Sequence, residues 1–123
     1  MNDPRPDLSI TLMSGPQDGV TYTFTLNAHQ PLTITIGRRE ECEIKLNYDS
    51  QVSRLHARLT YDPRDIEYML EDLGSRNGTF VGVQRIEDRH PIQPGDIFRI
   101  GRTHMRLDSL PQPTTPVKTL DPA

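Results

Sequence analysis

Val52-Ser53-Arg54-Leu55-His56-Ala57 places a hydroxyl, a guanidinium and an imidazole within four residues, where a polar loop (Asn47-Tyr48-Asp49-Ser50-Gln51) gives way to an alternating run. Leu55, Ala57, Leu59 and Tyr61 carry that run, and apolar residues at every second position mark a half-buried strand. Asp62-Pro63-Arg64-Asp65 then reads as a turn joining two strands, the second carried by Ile66, Tyr68 and Leu70.

The same period continues in both directions. Upstream, Leu8, Ile10 and Leu12 alternate, then Val20, Tyr22, Phe24 and Leu26, then Leu32, Ile34 and Ile36, with Gly15-Pro16-Gln17-Asp18-Gly19 as one turn and a loop around Asn27 to Pro31. Cys42, Ile44 and Leu46 make a short strand. Downstream, Asn77-Gly78 is a tight-turn pair because both residues tolerate positive φ. Phe80-Val81 and Ile86 follow, then Ile97 to Ile100 after the turn Gln93-Pro94-Gly95-Asp96, then Met105 and Leu107. No window holds a helical period. Roughly ten short strands with frequent turns predict an all-β chain folded as a β-sandwich. The expected boundaries are a flexible N-terminus over 1–7, one domain over 8–108, and a disordered Pro/Thr-rich tail over 109–123.

Composition narrows the function. With 123 residues, 33% hydrophobic residues, eleven prolines and no Trp, the chain suits one small loop-rich domain better than a large enzyme. A net charge of -3 argues against general nucleic-acid binding. Twelve of the fourteen basic residues are nevertheless Arg, the side chain suited to forked recognition of phosphate or carboxylate. The single Cys42 precludes an intramolecular disulfide and suits a reducing compartment. No apolar run approaches a membrane span and the first residues lack signal-peptide character, so a cytoplasmic protein without membrane insertion is expected.

Three loops after strand-like runs hold the candidate chemistry: Gly37-Arg38-Arg39, Ser53-Arg54 and Ser75-Arg76-Asn77-Gly78-Thr79. Arg38 at a strand end can make two parallel charge-assisted hydrogen bonds to a phosphate. Ser53 offers a short hydroxyl in a loop with backbone N–H groups suited to an anion. Arg54 suits phosphate, the peptide backbone or a solvated charge, and Arg76 suits either ligand or solvent. Asn77 has donors and an acceptor for an extended peptide backbone. Thr79 reads as structural. Ser53, His56 and a carboxylate such as Asp72 also invite a catalytic triad, but no nucleophile elbow precedes Ser53 and nothing marks an oxyanion hole. No catalytic residue is expected. His29, His56, His90, His104 and Cys42 have no metal-ligand spacing, and Gly15 to Gly19 lacks the Lys-Ser/Thr of a phosphate-cradling loop, so neither metal nor cofactor is expected.

Taken in order, Gly37-Arg38, Ser53-Arg54-Leu55-His56-Ala57 and Ser75-Arg76-Asn77-Gly78-Thr79 resemble the forkhead-associated (FHA) domain. The likeness extends to Gly15-Pro16, Gly19, Pro94-Gly95-Asp96 and Ile100-Gly101, and covers about residues 8 to 108. It implies an antiparallel β-sandwich of about eleven short strands that binds phosphothreonine peptides by loops at one end. By position, Arg38 and Ser53 would contact phosphate, with Arg54 in the same loop contact. Arg76 would make a further phosphate or peptide contact and Asn77 would hold the peptide backbone. Gly37, His56, Gly78 and Thr79 would support the site, and Gln51 with Gly82-Val83 would tune peptide choice.

The expected function is a signalling module that recruits or regulates partners phosphorylated by a Ser/Thr kinase. The alternative is a phosphate-independent interaction scaffold, which gives no reason for Arg38, Ser53 and Asn77 together. Thr114, Thr115 and Thr119 are candidate phosphorylation sites, whose products would fit the site of the same or a neighbouring chain.

Overall fold

A computed structural model describes residues 6–26, 29–65 and 67–109. The expected N-terminal fraying, Ile66 and the tail with Thr114, Thr115 and Thr119 therefore fall wholly or mainly outside the described residues.

Alternation drives the architecture. β1 (Pro6–Leu12) turns Leu8, Ile10 and Leu12 fully inward, and its partner β11 (Thr103–Ser109) does the same with Met105 and Leu107. β2 (Thr21–Thr25), β10 (Ile97–Ile100), β7 (Thr79–Val81) and β8 (Gln84–Arg85) complete a six-stranded sheet in the order β2-β1-β11-β10-β7-β8. The second sheet contains β3 (Leu32–Gly37), β4 (Ile44–Lys45), β5 (Ala57–Asp62), β6 (Glu67–Asp72) and β9 (Arg89–Ile92), in the order β4-β3-β5-β6-β9. Ile34, Ile36, Leu59 and Leu70 of this sheet meet Phe98, Ile100 and Met105 of the first in one buried cluster. The chain is an eleven-stranded all-β sandwich, as the resemblance implied.

Local details depart from the alternation reading. β3 and β4 pair in parallel, the exception to an otherwise antiparallel ladder set among the described residues. Leu55 is not a strand residue: it is 40% exposed, and β5 starts only at Ala57. The reason is His56, fully enclosed immediately before Ala57, which interrupts the period. Val20, 41% exposed, likewise precedes its strand. β9 alternates in burial but not in apolar character, because of Arg89, His90, Pro91 and Ile92 only Ile92 is an inward-facing apolar side chain, and Pro91 is tolerated because β9 is an edge strand. Among the described residues no helix is long and apolar enough to cross a membrane.

Candidate functional site

The loops β3–β4, β4–β5 and β6–β7 meet at one end of the sandwich, and close approach of backbones makes the meeting possible. A Cβ added to Gly37 would lie 2.2 Å from the carbonyl oxygen of Arg54 and 3.1 Å from Cys42 Sγ, so glycine is required by space rather than by φ. Across this contact Arg38 N–H donates to Ser53 O (3.2 Å) and Arg39 N–H to Arg54 O (3.1 Å). The Cys42 thiol reaches Arg54 O at 3.7 Å, and burial pushes its pKa up, against the Arg39 backbone bond.

His56 ties two loops together. Its Nδ1 accepts the Ser53 N–H at 3.0 Å, so the ring proton resides on Nε2, which donates to Gly78 O at 2.9 Å. Its own carbonyl accepts Leu73 N–H at 2.9 Å. Burial lowers the imidazole pKa, against the Gly78 bond and the charges of Asp72 and Asp49, and the neutral ring is the form that can accept from Ser53. Both ring nitrogens are committed to backbone, and neither meets the Ser53 hydroxyl. The triad geometry considered from sequence is absent.

Asp72 is instead the hub of the β6–β7 loop. It accepts from Gly74 N–H, Ser75 N–H, Ser75 Oγ–H (2.6 Å) and Thr79 Oγ1–H (2.7 Å). Burial raises its pKa, but the Ser75 and Thr79 bonds outweigh that and hold it below the usual aspartate value. Ser75 Oγ in turn accepts Gly78 N–H, and Gly78 takes the positive φ of 90° that lets the turn close. Thr79 is fully buried beneath it. Sequence reasoning weighed Asp72 only as a triad member, although an Asp three residues before Ser75 is the pattern of a side chain capping a turn.

A second carboxylate, Asp49, was missed. It is 5% exposed and accepts from Gln51 N–H, Arg102 N–H and Thr103 Oγ1–H, the last two at 2.8 Å. Gly101 lies against it: an added Cβ would stand 2.8 Å from Asp49 Oδ2 and 2.6 Å from Val52. These contacts brace the β4–β5 loop against the β10–β11 turn.

Above this scaffold opens a cleft of about 360 Å³, lined by Arg38, Ser53, Arg54, Arg76 and Asn77, together with Ser50, Gln51, Val52 and Gly74. Three arginines line it and no carboxylate does. Arg38 donates Nε–H to Val52 O, which aims its two terminal nitrogens while leaving them without a partner among the described residues. Ser53 Oγ accepts Arg76 N–H at 3.0 Å, which leaves its own proton to donate. Asn77 Nδ2–H donates to Gln51 O at 2.8 Å, so one donor of the amide closes the loops and its oxygen is left as an acceptor. Arg54 and Arg76 are exposed. All five residues expected to touch ligand thus share one cleft, while Gly37, His56, Gly78 and Thr79 lie outside its lining and hold the loops. Gln51 lines the cleft; Gly82 and the fully exposed Val83 sit in the β7–β8 turn, outside the lining.

The sequence model of the FHA domain matches residues 34–101. The FHA domain-containing protein FhaB of Mycolicibacterium smegmatis is 36% identical over 74 residues, which are 60% of this chain and 46% of FhaB. Protein phosphatase 2C 70 of Arabidopsis thaliana is 31% identical over 91 residues, 74% of this chain but only 15% of the phosphatase. The chain therefore spans less than half the length of either relative. A solved structure from a structural and functional analysis of phosphothreonine-dependent FHA domain interactions superposes with a TM-score of 0.71 at 26% identity, covering 86% of this chain and 99% of that one.

Proposed function

The chain belongs to the FHA domain family of phosphothreonine-binding modules, and from that premise we propose that its cleft binds phosphothreonine peptides of partners phosphorylated by a Ser/Thr protein kinase. The observation that carries the reading is a cleft with three arginines, a hydroxyl free to donate and no carboxylate, beside an asparagine oxygen free to accept. A phosphate near -2 charge is attracted to such a cluster although the chain as a whole is acidic. Arg38 and Ser53 bind the phosphate oxygens, Arg54 and Arg76 add charge at the rim, and Asn77 Oδ1 accepts a peptide N–H of the ligand. The binding module is taken as residues 8–108. Phosphorylated Thr114, Thr115 or Thr119 of the same or a neighbouring chain would be ligands of the same class.

FHA domains are non-catalytic binding modules, and the phosphatase-named relative shares only a small part of its length with this chain. With hydrogen bonds to a charged group contributing about 1.5–3 kcal/mol each, Arg38→Ala should weaken phosphopeptide binding roughly ten- to a hundredfold. Ser53→Ala should weaken it in the same direction. Calorimetric titration of both variants, with thermal melts to establish that they fold, tests the assignment. Wild-type affinity in either folded variant removes that residue from the site.

A further inference from the structure

The two sheets carry their charges differently. A depression of about 180 Å³ on β5, β6 and β9 is lined by both signs, Asp62, Asp65, Glu67 and Glu71 with Arg89, and Glu71 and Asp62 are paired with Arg58 and Arg64. The outer face of the six-stranded sheet carries basic side chains that lack such partners among the described residues. Leu107, Met105, Phe98 and Ile100 point inward, so Arg106, His104, Ile97 and Arg99 point outward by alternation. The acid on this part of the face, Asp108, is paired with Arg106.

One cross-strand row of that face abuts the binding end. The pairings Arg85↔Phe80, Phe80↔Arg99 and Arg99↔His104 place the four residues side by side on β8, β7, β10 and β11. Phe80 is outside the core cluster and lies under the Arg99 guanidinium, 4.1 Å from ring centroid to Cζ. Arg99 is fixed further by donating to Gly101 O at 2.8 Å. Neither Arg85 nor Arg99 has a carboxylate partner among the described residues. The row is also continuous with the cleft. Asn77 lines the cleft, and the next residue, Gly78, packs so closely on Arg85 that an added Cβ would stand 2.7 Å from Arg85 Nε.

We infer that this Arg85–Phe80–Arg99–His104 row is a secondary docking strip for an acidic flank of the phosphopeptide, beyond the residues held in the cleft. The inference rests on the phosphopeptide reading of the cleft. Four strands at about 4.8 Å spacing make a strip about 14 Å long, which an extended peptide covers with about four residues. Two guanidiniums without carboxylate partners, one stacked on an aromatic ring, complement carboxylates along that length. An acidic peptide fits better than nucleic acid because the chain as a whole is anionic.

The test is fluorescence-anisotropy titration of the full chain with phosphothreonine peptides sharing one core. One carries four glutamates starting two residues before the phosphothreonine, one carries them starting two residues after it, and one has glutamines instead. One acidic peptide should bind about three- to tenfold tighter than the neutral one at roughly 50 mM salt, and the gain should shrink at about 500 mM. R85Q/R99Q should abolish the gain while leaving the neutral peptide's affinity unchanged. Equal binding of acidic and neutral peptides by the wild type, or a gain that survives R85Q/R99Q, overturns the strip and leaves the cleft intact. Failure of every phosphopeptide to bind overturns the cleft reading, and the strip with it. An oligonucleotide that binds more tightly than the acidic peptides, and is lost in R85Q/R99Q, overturns the peptide assignment in favour of nucleic acid.

Discussion

Replacing His56 with glutamine tests the account of how the loops are held. The ring is fully enclosed and makes two hydrogen bonds, from Ser53 N–H and to Gly78 O. A glutamine amide can restore one of them, leaving one buried backbone group unpaired at a cost of about 1–3 kcal/mol. The pH dependence is the sharper readout. Burial lowers the folded pKa of His56 beneath its unfolded value near 6.5, so the unfolded chain binds the proton first as pH falls. The His56 contribution is therefore complete above pH 6.5 and declines as pH drops through 6.5 toward the folded pKa. One proton gives a slope of at most about 1.4 kcal/mol per pH unit, so at most about 2 kcal/mol is lost between pH 6.5 and 5. Urea unfolding at half-unit pH intervals should show a steeper decline in wild type than in His56→Gln, with the two curves converging at low pH. Parallel curves would refute the claim that a buried neutral imidazole holds these loops.

Other consequences concern the scaffold under the cleft. Gly37→Ala should destabilise by about 1–3 kcal/mol in denaturant melts, because the new methyl meets the rigid backbone of Arg54 at 2.2 Å; unchanged stability would mean the loops separate freely. Asp72→Asn substitutes an NH₂ group for one oxygen that now accepts two donors, so about 2–4 kcal/mol should be lost at neutral pH. Because the Asp72 pKa is lowered in the fold, wild type should lose the same contribution as pH falls through about 3.8 and below, a window separate from that of His56. A variant that melts like wild type at pH 7 would show that the carboxylate is not the hub.

What the sequence made legible follows from which interactions are local. Burial at every second residue is a property of single strands, and it located Leu8–Leu12, Leu32–Ile36 and Ile97–Ile100 without knowledge of their partners. Arg89–Ile92 escaped because an edge strand needs only one buried side chain and tolerates Pro91. The parallel pairing of β3 with β4 is a relation between two strands, which no single residue announces. Arg38, Ser53, Arg54, Arg76 and Asn77 stand out as a set through the resemblance to the FHA domain, and all five line one cleft. Asp72 and Asp49 do not stand out, because a carboxylate that caps turns through backbone N–H groups resembles any loop aspartate until its donors are seen. One amide donor of Asn77 is likewise engaged by Gln51 O, a partner twenty-six positions away that no local pattern announces.

The measurement that bears most directly on the central claim is titration of the wild-type chain with degenerate phosphothreonine peptides, alongside matched phosphoserine and unphosphorylated pools. The account predicts saturable binding of the phosphothreonine pool, none of the unphosphorylated pool, and enriched flanking residues that point to the partner. Equal retention of phosphorylated and unphosphorylated peptides, or no binding of any pool, would contradict it and favour a phosphate-independent scaffold.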